Sequence, residues 1–262
     1  MRYDLVKLAK QRRRRLRATM PPIEERLTTV RSYQAVMRKM LKALADETRN
    51  AIIPAYAPDR LQRDADSSTF TRLRQLAAAL SATASQTVNG ILGLEAVRHT
   101  DTFKATVKRV IGVDISAVVS QEDLGDYLRQ AAARNTSLIV SVGDDVVKRI
   151  EQTVLRNSIA GASVKSLRAE LVEQFGIVGR RADIIARDQT AKMVSDLNRV
   201  RQEQAGITTY VWATSQDERV RPLHQELDGK TYEWGKPTGA EGGLPPGQPI
   251  MCRCVARAVV EF

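Results

Sequence analysis

The chain has 262 residues, 41 of them Lys or Arg and 30 Asp or Glu, which gives a formal charge of +11. This length allows one large domain or two modest ones, and the hydrophobic fraction of 43% is typical of globular proteins and excludes wholesale disorder. No apolar run approaches the roughly 20 residues that cross a bilayer, and no apolar segment of a secretory signal follows the basic N-terminus.

The positive charge is concentrated at the N-terminus. Residues 1–20 carry a net charge of +7 and residues 21–50 add +2, so that residues 51–262 carry only +2. We interpret residues 1–20 as a basic arm that contacts DNA phosphates without sequence preference. Its candidate DNA-binding residues are Lys7, Lys10, Arg12, Arg13, Arg14, Arg15 and Arg17. A solvated tail without a partner is an alternative, as is a membrane-surface segment, although the leucines of the arm are sparse.

The next part of the chain, residues 21–110, has the pattern of a helical N-terminal region. Apolar side chains at spacings of three and four predict an amphipathic helix over residues 24–49. A second helix is predicted from about Leu61 to Val88. Because Asn-Gly is a common turn dipeptide, we expect a break at Asn89–Gly90 before helical periodicity continues to Val110.

Residues 111–206 continue the helical pattern with short interruptions. The β-branched stretch at 112–120 fits a strand or a loop, and Ser120–Asp123 resembles a helix capping box. Ser163 is a predicted N-cap, and Gly206 is a predicted helix stop. Three further helices are predicted over residues 138–159, 164–175 and 180–204. Glycines at 176 and 179 are expected to end the second of them.

After Gly206 the pattern changes to short strands. Residues 207–214 are β-branched and aromatic, Asp228–Gly229 is a hairpin-turn dipeptide before a strand at 230–234, and a last strand follows at 252–260. We therefore predict an α+β fold that is mainly α, in which a body of long helices precedes a small C-terminal antiparallel β unit over residues 207–262.

Side chains that bind metals are concentrated in this β unit. Cys252 and Cys254 point to the same face of an extended strand, and with His224 and Asp217 they provide the donors of a tetrahedral zinc site. The one-residue cysteine spacing is unusual for zinc, so a second interpretation stays open, in which the cysteines are small buried side chains. A cysteine pair this close does not favour a mutual disulfide, and a cytosolic chain is the default.

No established catalytic motif is present, and the chain is predicted not to be an enzyme. The alternative is a metal-dependent, nuclease-like hydrolase that uses Asp217, His224 and Asp228, with the histidine as base and the carboxylates on the metal. Nothing in the spacing of these residues requires it.

An ordered string of motifs over about residues 135–262 resembles the phage Mu F-like head morphogenesis family, the minor head proteins of tailed phages and prophages. The string consists of Ile185-Ala-Arg-Asp-Gln-Thr190, Asn198-Arg-Val-Arg-Gln202, Gly206-Ile-Thr-Thr-Tyr-Val-Trp212, Asp217-Glu-Arg-Val-Arg221, His224, Leu227-Asp-Gly229, Pro245-Pro-Gly247 and Cys252-Arg-Cys254. The family's ordered polar positions fall here on the candidate metal ligands and on a structural cluster of Arg187, Asp188, Arg219, Arg221 and Asp228.

The resemblance implies a minor capsid protein on the internal face of the phage head, near the portal. Its implied partners are the portal protein, capsid or scaffold proteins and the double-stranded genome, bound without sequence preference, and no membrane. It also implies roles in head morphogenesis and in DNA packaging and ejection, with the host cytoplasm as the place of assembly.

Overall fold

The computed structural model describes residues 3–9, 17–56, 68–119 and 124–262. Long helices occupy most of these residues and a small antiparallel sheet lies at the C-terminal end of the sequence, so the predicted α+β, mainly α fold class is confirmed. Within the described ranges, no helix combines the length and apolar character that a membrane span requires. The predicted capping box at Ser120–Asp123 lies outside these ranges.

Seven α-helices are found in the described residues, three of them longer than 30 residues. They are α1 (Leu5–Ala9), α2 (Leu27–Glu47), α3 (Ile53–Ala55), α4 (Ser68–Ile111), α5 (Gly125–Ile159), α6 (Val164–Gln204) and α7 (Pro222–Leu227). A π-helical turn over Thr48–Ile52 connects α2 to α3, and Ser163 caps α6 as predicted, accepting the Ser166 N–H at 3.2 Å. Residues 112–119 form a loop, which resolves the strand-or-loop alternative.

The sheet contains four short strands, β1 (Arg17–Thr19), β2 (Thr209–Ala213), β3 (Thr231–Glu233) and β4 (Val255–Glu261), in the order β1-β4-β2-β3. All neighbouring strands are antiparallel, and β4 pairs with both β2 and β1. The sequence predicted β2, β3 and β4 but not β1, which is too short and too basic to show a strand pattern.

Two predicted helix breaks are wrong. Asn89–Gly90 lies inside the continuous helix α4, and Gly176 and Gly179 lie inside α6. A glycine in a helix interior costs only about 1 kcal/mol relative to alanine, and the burial of Val88 and Leu92 on either side of Gly90 outweighs that cost. Gly206, in contrast, ends α6 with a positive φ of 76°, as predicted.

Contacts between residues divide the described chain into two compact units. Unit 1 contains Met1–Val30, Leu92–Arg129 and Arg187–Phe262, and unit 2 contains Arg31–Ile91 and Gln130–Ala186. Each unit is built from segments distant in sequence, whereas the sequence suggested four consecutive regions. The sheet and all the candidate metal ligands belong to unit 1.

The N-terminal residues of unit 1 are part of its hydrophobic core. Tyr3 and Leu5 are buried with Phe103, Ile207 and Val260, and their N–H groups donate to the backbone carbonyls of Gln204 and Ala205. The basic arm is therefore anchored to the folded unit over its described residues instead of extending from it as a free tail.

Unit 2 has its own core of buried aliphatic side chains. Met37, Leu44, Leu73, Ile139 and Leu167 are all nearly or fully buried, with relative exposures near zero. Tyr33 and Asn135, both buried in this unit, are joined by a hydrogen bond of 2.9 Å that the Tyr33 hydroxyl donates.

Candidate metal centre

His224, Cys252 and Cys254 meet in unit 1 beside the first residues of β4, an inner strand of the sheet. His224 lies on α7, which begins with Pro222 after an extended Arg221, and the two cysteines lie on the extended segment that leads into β4. Since successive side chains of an extended chain point to opposite sides, both thiols face inward and Arg253 between them is exposed. The predicted convergence of one imidazole and two thiols is what the structure contains.

The three donor atoms are spaced as ligands of one ion. His224 Nδ1 lies 3.6 Å from Cys252 Sγ and 3.5 Å from Cys254 Sγ, and all three donor atoms lie within 4.8 Å of one another. Zinc bonds of about 2.3 Å to sulfur and 2.0 Å to nitrogen, at a tetrahedral angle, separate the two donors by about 3.5 Å. All three residues are buried and both cysteines are free thiols, so the set supplies three of the four ligands of a tetrahedral zinc ion.

Neighbouring groups hold these side chains in the orientation that a metal needs. His224 Nε2 bonds Glu241 Oε2 at 2.7 Å, which leaves Nδ1 for the thiols, and a carboxylate on the second ring nitrogen is the usual outer partner of a metal-bound histidine. The Gly247 N–H donates to Cys252 Sγ at 3.4 Å, and the buried Trp212 ring packs edge-on against His224 with centroids 5.3 Å apart. No sequence motif indicates Glu241, because it lies in the irregular Pro/Gly-rich loop.

The two thiols shift each other's pKa in opposite directions. A hydrogen bond from Cys254 lowers the pKa of Cys252 to about 6, and the same interaction together with burial raises the pKa of Cys254. The interaction therefore favours the thiolate at Cys252, the form of cysteine that binds metals.

Asp217, the fourth predicted ligand, lies outside this group of three donors. Its carboxylate accepts both Arg253 guanidinium N–H groups, one of them at 2.6 Å, and this pairing lowers its pKa. Asp228 accepts the Thr214 N–H at 2.8 Å, at the end of β2. Both carboxylates that the hydrolase alternative places on the metal are thus bound to other groups.

A cavity of about 460 Å³ opens beside the thiols within unit 1. Four arginines of the chain line it together with His224, Cys252 and Cys254, and these are Arg187, Arg219, Arg221 and Arg253. Three of them belong to the predicted structural cluster, whereas Arg253 was not predicted. Asp188 supports the rim, since it accepts the Met251 N–H at 2.9 Å and the Lys192 ammonium at 2.7 Å.

Glu25 also lines the cavity, and no sequence motif indicated it. Burial raises the pKa of its carboxyl to about 7, although the nearby Arg187 and Arg253 act in the opposite direction. Its Oε2 is buried without a hydrogen-bond partner in the described part of the chain. Glu25 comes from the segment before α2, more than 200 residues from the cysteines, so only the fold brings it here.

The predicted DNA-binding residues fall into two groups. Lys7 and Arg17 are exposed. The Lys7 ammonium lies 3.8 Å from the Asp4 carboxylate, and the Arg17 guanidinium donates to the Thr231 hydroxyl at 3.1 Å. Lys10 and the run Arg12–Arg15 lie outside the residues that the structure describes. Their role in DNA binding stays a prediction.

Comparison with known proteins agrees with the motifs of the sequence. Residues 148–257 match the family described as "Phage Mu protein F like protein". The match confirms the predicted resemblance over this part of the chain, which includes β2, β3, all three candidate ligands and the first three residues of β4.

One relative is a protein of Haemophilus influenzae (strain ATCC 51907 / DSM 11121 / KW20 / Rd) with the name "Uncharacterized protein". It is 29% identical to this chain over 174 residues, which cover 66% of this chain and 38% of the relative. The chain thus spans less than two fifths of the length of that protein. No solved structure matches the chain.

Proposed function

We propose that this phage Mu F-like chain is a minor head protein of a tailed phage, which acts in head morphogenesis beside the portal and the packaged DNA. The observation that carries the proposal is the family match over residues 148–257, the part of the chain that contains the His224, Cys252 and Cys254 cluster. The paired state of Asp217 and Asp228 supports an architectural role for this region over hydrolysis. The portal, capsid or scaffold proteins and DNA are its proposed partners, and DNA packaging and ejection are the stages in which it takes part.

The particle itself provides the test of this proposal. Quantitative mass spectrometry of purified particles of the phage or induced prophage that encodes the chain is expected to find it in few copies relative to the major capsid protein. Disruption of its gene should yield heads that are incomplete or lack DNA. Normal, infectious particles without the chain would contradict the proposal.

The cysteine–histidine cluster is proposed to bind one structural Zn²⁺ through His224, Cys252 and Cys254. The buried cluster around it is small and contains Trp212, Leu227 and Ala240 besides the two cysteines, so an ion that joins α7 to the segment before β4 adds stability that so small a core lacks. When bound, the ion supplies a cross-link between these two segments.

We expect about one zinc per purified chain, and substitution of a ligand should release it. Elemental analysis of His224→Gln and Cys254→Ser is expected to give near-zero zinc and a melting temperature lower by several degrees, because the cross-link is lost. Asp217→Asn is the matched control, since it removes a neighbouring carboxylate outside the cluster and should retain the metal. Folded wild-type protein without zinc would rule out the metal site.

A further inference from the structure

The geometry points to the cavity beside the thiols as a binding site for the phosphate group of a nucleotide, with Arg187 and Arg219 as its principal ligands. The cavity, of about 460 Å³, is large enough for a small molecule and larger than a single phosphate ion. Its arginines come from three segments distant in sequence, namely α6, the loop between β2 and α7, and the segment before β4. Chain folding has thus gathered positive charge at one concave surface.

Two of these guanidinium groups are compensated by the protein itself. Arg253 is held by the Asp217 carboxylate. Arg221 donates to the Ile250 carbonyl at 2.6 Å and lies 3.5 Å from Glu241. These contacts fix the rim of the cavity and leave little of either charge for a ligand.

The other two guanidinium groups keep their hydrogen-bonding capacity. Among the described residues, no hydrogen bond or ion pair is formed by the side chain of Arg187 or of Arg219, although both line the cavity. An anion that enters the cavity therefore meets two arginines ready to donate.

Phosphate fits this arrangement better than a carboxylate. A guanidinium presents a planar fork of donors that pairs with two phosphate oxygens, and a terminal phosphate has three such oxygens to divide between two arginines. A carboxylate has two oxygens in one plane and satisfies one fork. The remaining volume of the cavity accommodates part of the nucleoside, whether the nucleotide is free or forms the end of a DNA strand.

Isothermal titration calorimetry in chloride buffer tests the inference with deoxyadenosine monophosphate, inorganic phosphate, deoxyadenosine and acetate as probes. We expect binding of the two phosphate-containing probes and none of deoxyadenosine or acetate. The double variant R187A/R219A should bind deoxyadenosine monophosphate at least about tenfold more weakly. R109A/R199A removes the same charge from exposed positions outside the cavity and should bind like the wild type. A short oligonucleotide with and without a 5′-phosphate then distinguishes a DNA end from a free nucleotide.

The inference is overturned if the wild type binds no phosphate-containing probe at millimolar concentration, if acetate binds equally well, or if the two double variants lose affinity to the same extent. Equal loss would mean that the general positive field attracts the anion. Zinc content measured on the same samples keeps the two sites separate, since phosphate binding by a zinc-free, folded chain would reject the metal and retain the cavity.

Discussion

Glu25 is a carboxyl group that the fold places where its charge is unfavourable. It is largely buried, it faces the thiols of the cavity, and Arg187 and Arg253 only partly offset the cost of removing it from water. The other charged or titratable groups that act on it are Glu95 and Cys252, and both raise its pKa. Folding therefore stabilises the protonated form.

We predict that Glu25 makes the protein less stable as the pH rises. Its pKa is 4.5 in the unfolded chain and about 7 in the fold, so the stabilisation of the protonated form is complete below pH 4.5 and is lost as the pH rises through 7. The loss amounts to up to about 3 kcal/mol. Urea denaturation of the wild type and of Glu25→Gln between pH 4 and 8 measures it, because the amide does not titrate.

Glu24→Gln is the matched control for this measurement, because Glu24 is adjacent and exposed. It should retain the pH profile of the wild type, while Glu25→Gln should flatten it. Parallel profiles for wild type and Glu25→Gln would contradict the assignment.

At the scale of single residues, the site was predictable only where the separation of two residues in sequence determines which way their side chains point. Cys252 and Cys254 are two residues apart on an extended segment, which places both thiols on one face regardless of the rest of the fold. Glu25 and Glu241 reach the same place from other segments, and no local pattern marks them. No local pattern indicates that Asp217 pairs with Arg253, which is 36 residues away in sequence.

Helix α4 illustrates how tertiary packing overrides a local signal. Asn89–Gly90 is a common turn dipeptide, yet here Asn89 donates to the Thr136 hydroxyl at 3.4 Å within unit 2 and the helix continues. Val88 and Leu92 are buried on either side of Gly90. Their burial stabilises the helix by more than the low helix propensity of one glycine destabilises it. The same reasoning applies to Gly176 and Gly179 in α6.

A glycine-to-alanine pair tests this interpretation of α4. A Cβ at Gly90 meets no atom within 4 Å, so Gly90→Ala should stabilise the protein by about 0.5–1 kcal/mol through lower chain entropy in the unfolded state. Gly143→Ala in α5 is the contrasting variant, because a Cβ there collides with the buried Ser81 hydroxyl. It should destabilise by about 1–3 kcal/mol. Thermal unfolding of both variants measures their stability relative to the wild type. Destabilisation by Gly90→Ala would show that α4 does not continue through this position.

Strand β1 illustrates the opposite error, since an element was missed. Its three residues, Arg17–Thr19, have no alternation to detect, and their strand conformation comes from pairing with β4 at the other end of the chain. The backbone hydrogen bonds of this pairing join residues more than 200 positions apart, so a local sequence pattern does not indicate them. The three strands near the C-terminus were predictable because each combines β-branched or aromatic residues with a nearby turn signal.

At the scale of the whole chain, charge and core are combined in the same N-terminal segment. Residues 1–20 carry +7 of the net +11, yet Tyr3, Leu5, Ala9 and Met20 are buried in the core of unit 1. Deleting the segment would remove these core side chains together with β1. A deletion therefore cannot separate loss of DNA contacts from loss of structure, and neutralisation of charge at constant length is the appropriate change.

We predict that replacing Arg12, Arg13, Arg14 and Arg15 by glutamine weakens binding to duplex DNA and makes it less sensitive to salt. Each phosphate contact releases counterions, so the slope of log K against log salt concentration should fall by up to about 0.9 per arginine that contacts the duplex. Fluorescence anisotropy with two duplexes of unrelated sequence, between about 50 and 200 mM salt, measures the slope. Equal affinity for the two duplexes would show that binding has no sequence preference. As control, the exposed Arg31, Arg109, Arg168 and Arg180 are replaced by glutamine, which removes the same charge elsewhere. If both quadruple variants lower the slope equally, net charge and not the N-terminal segment determines binding.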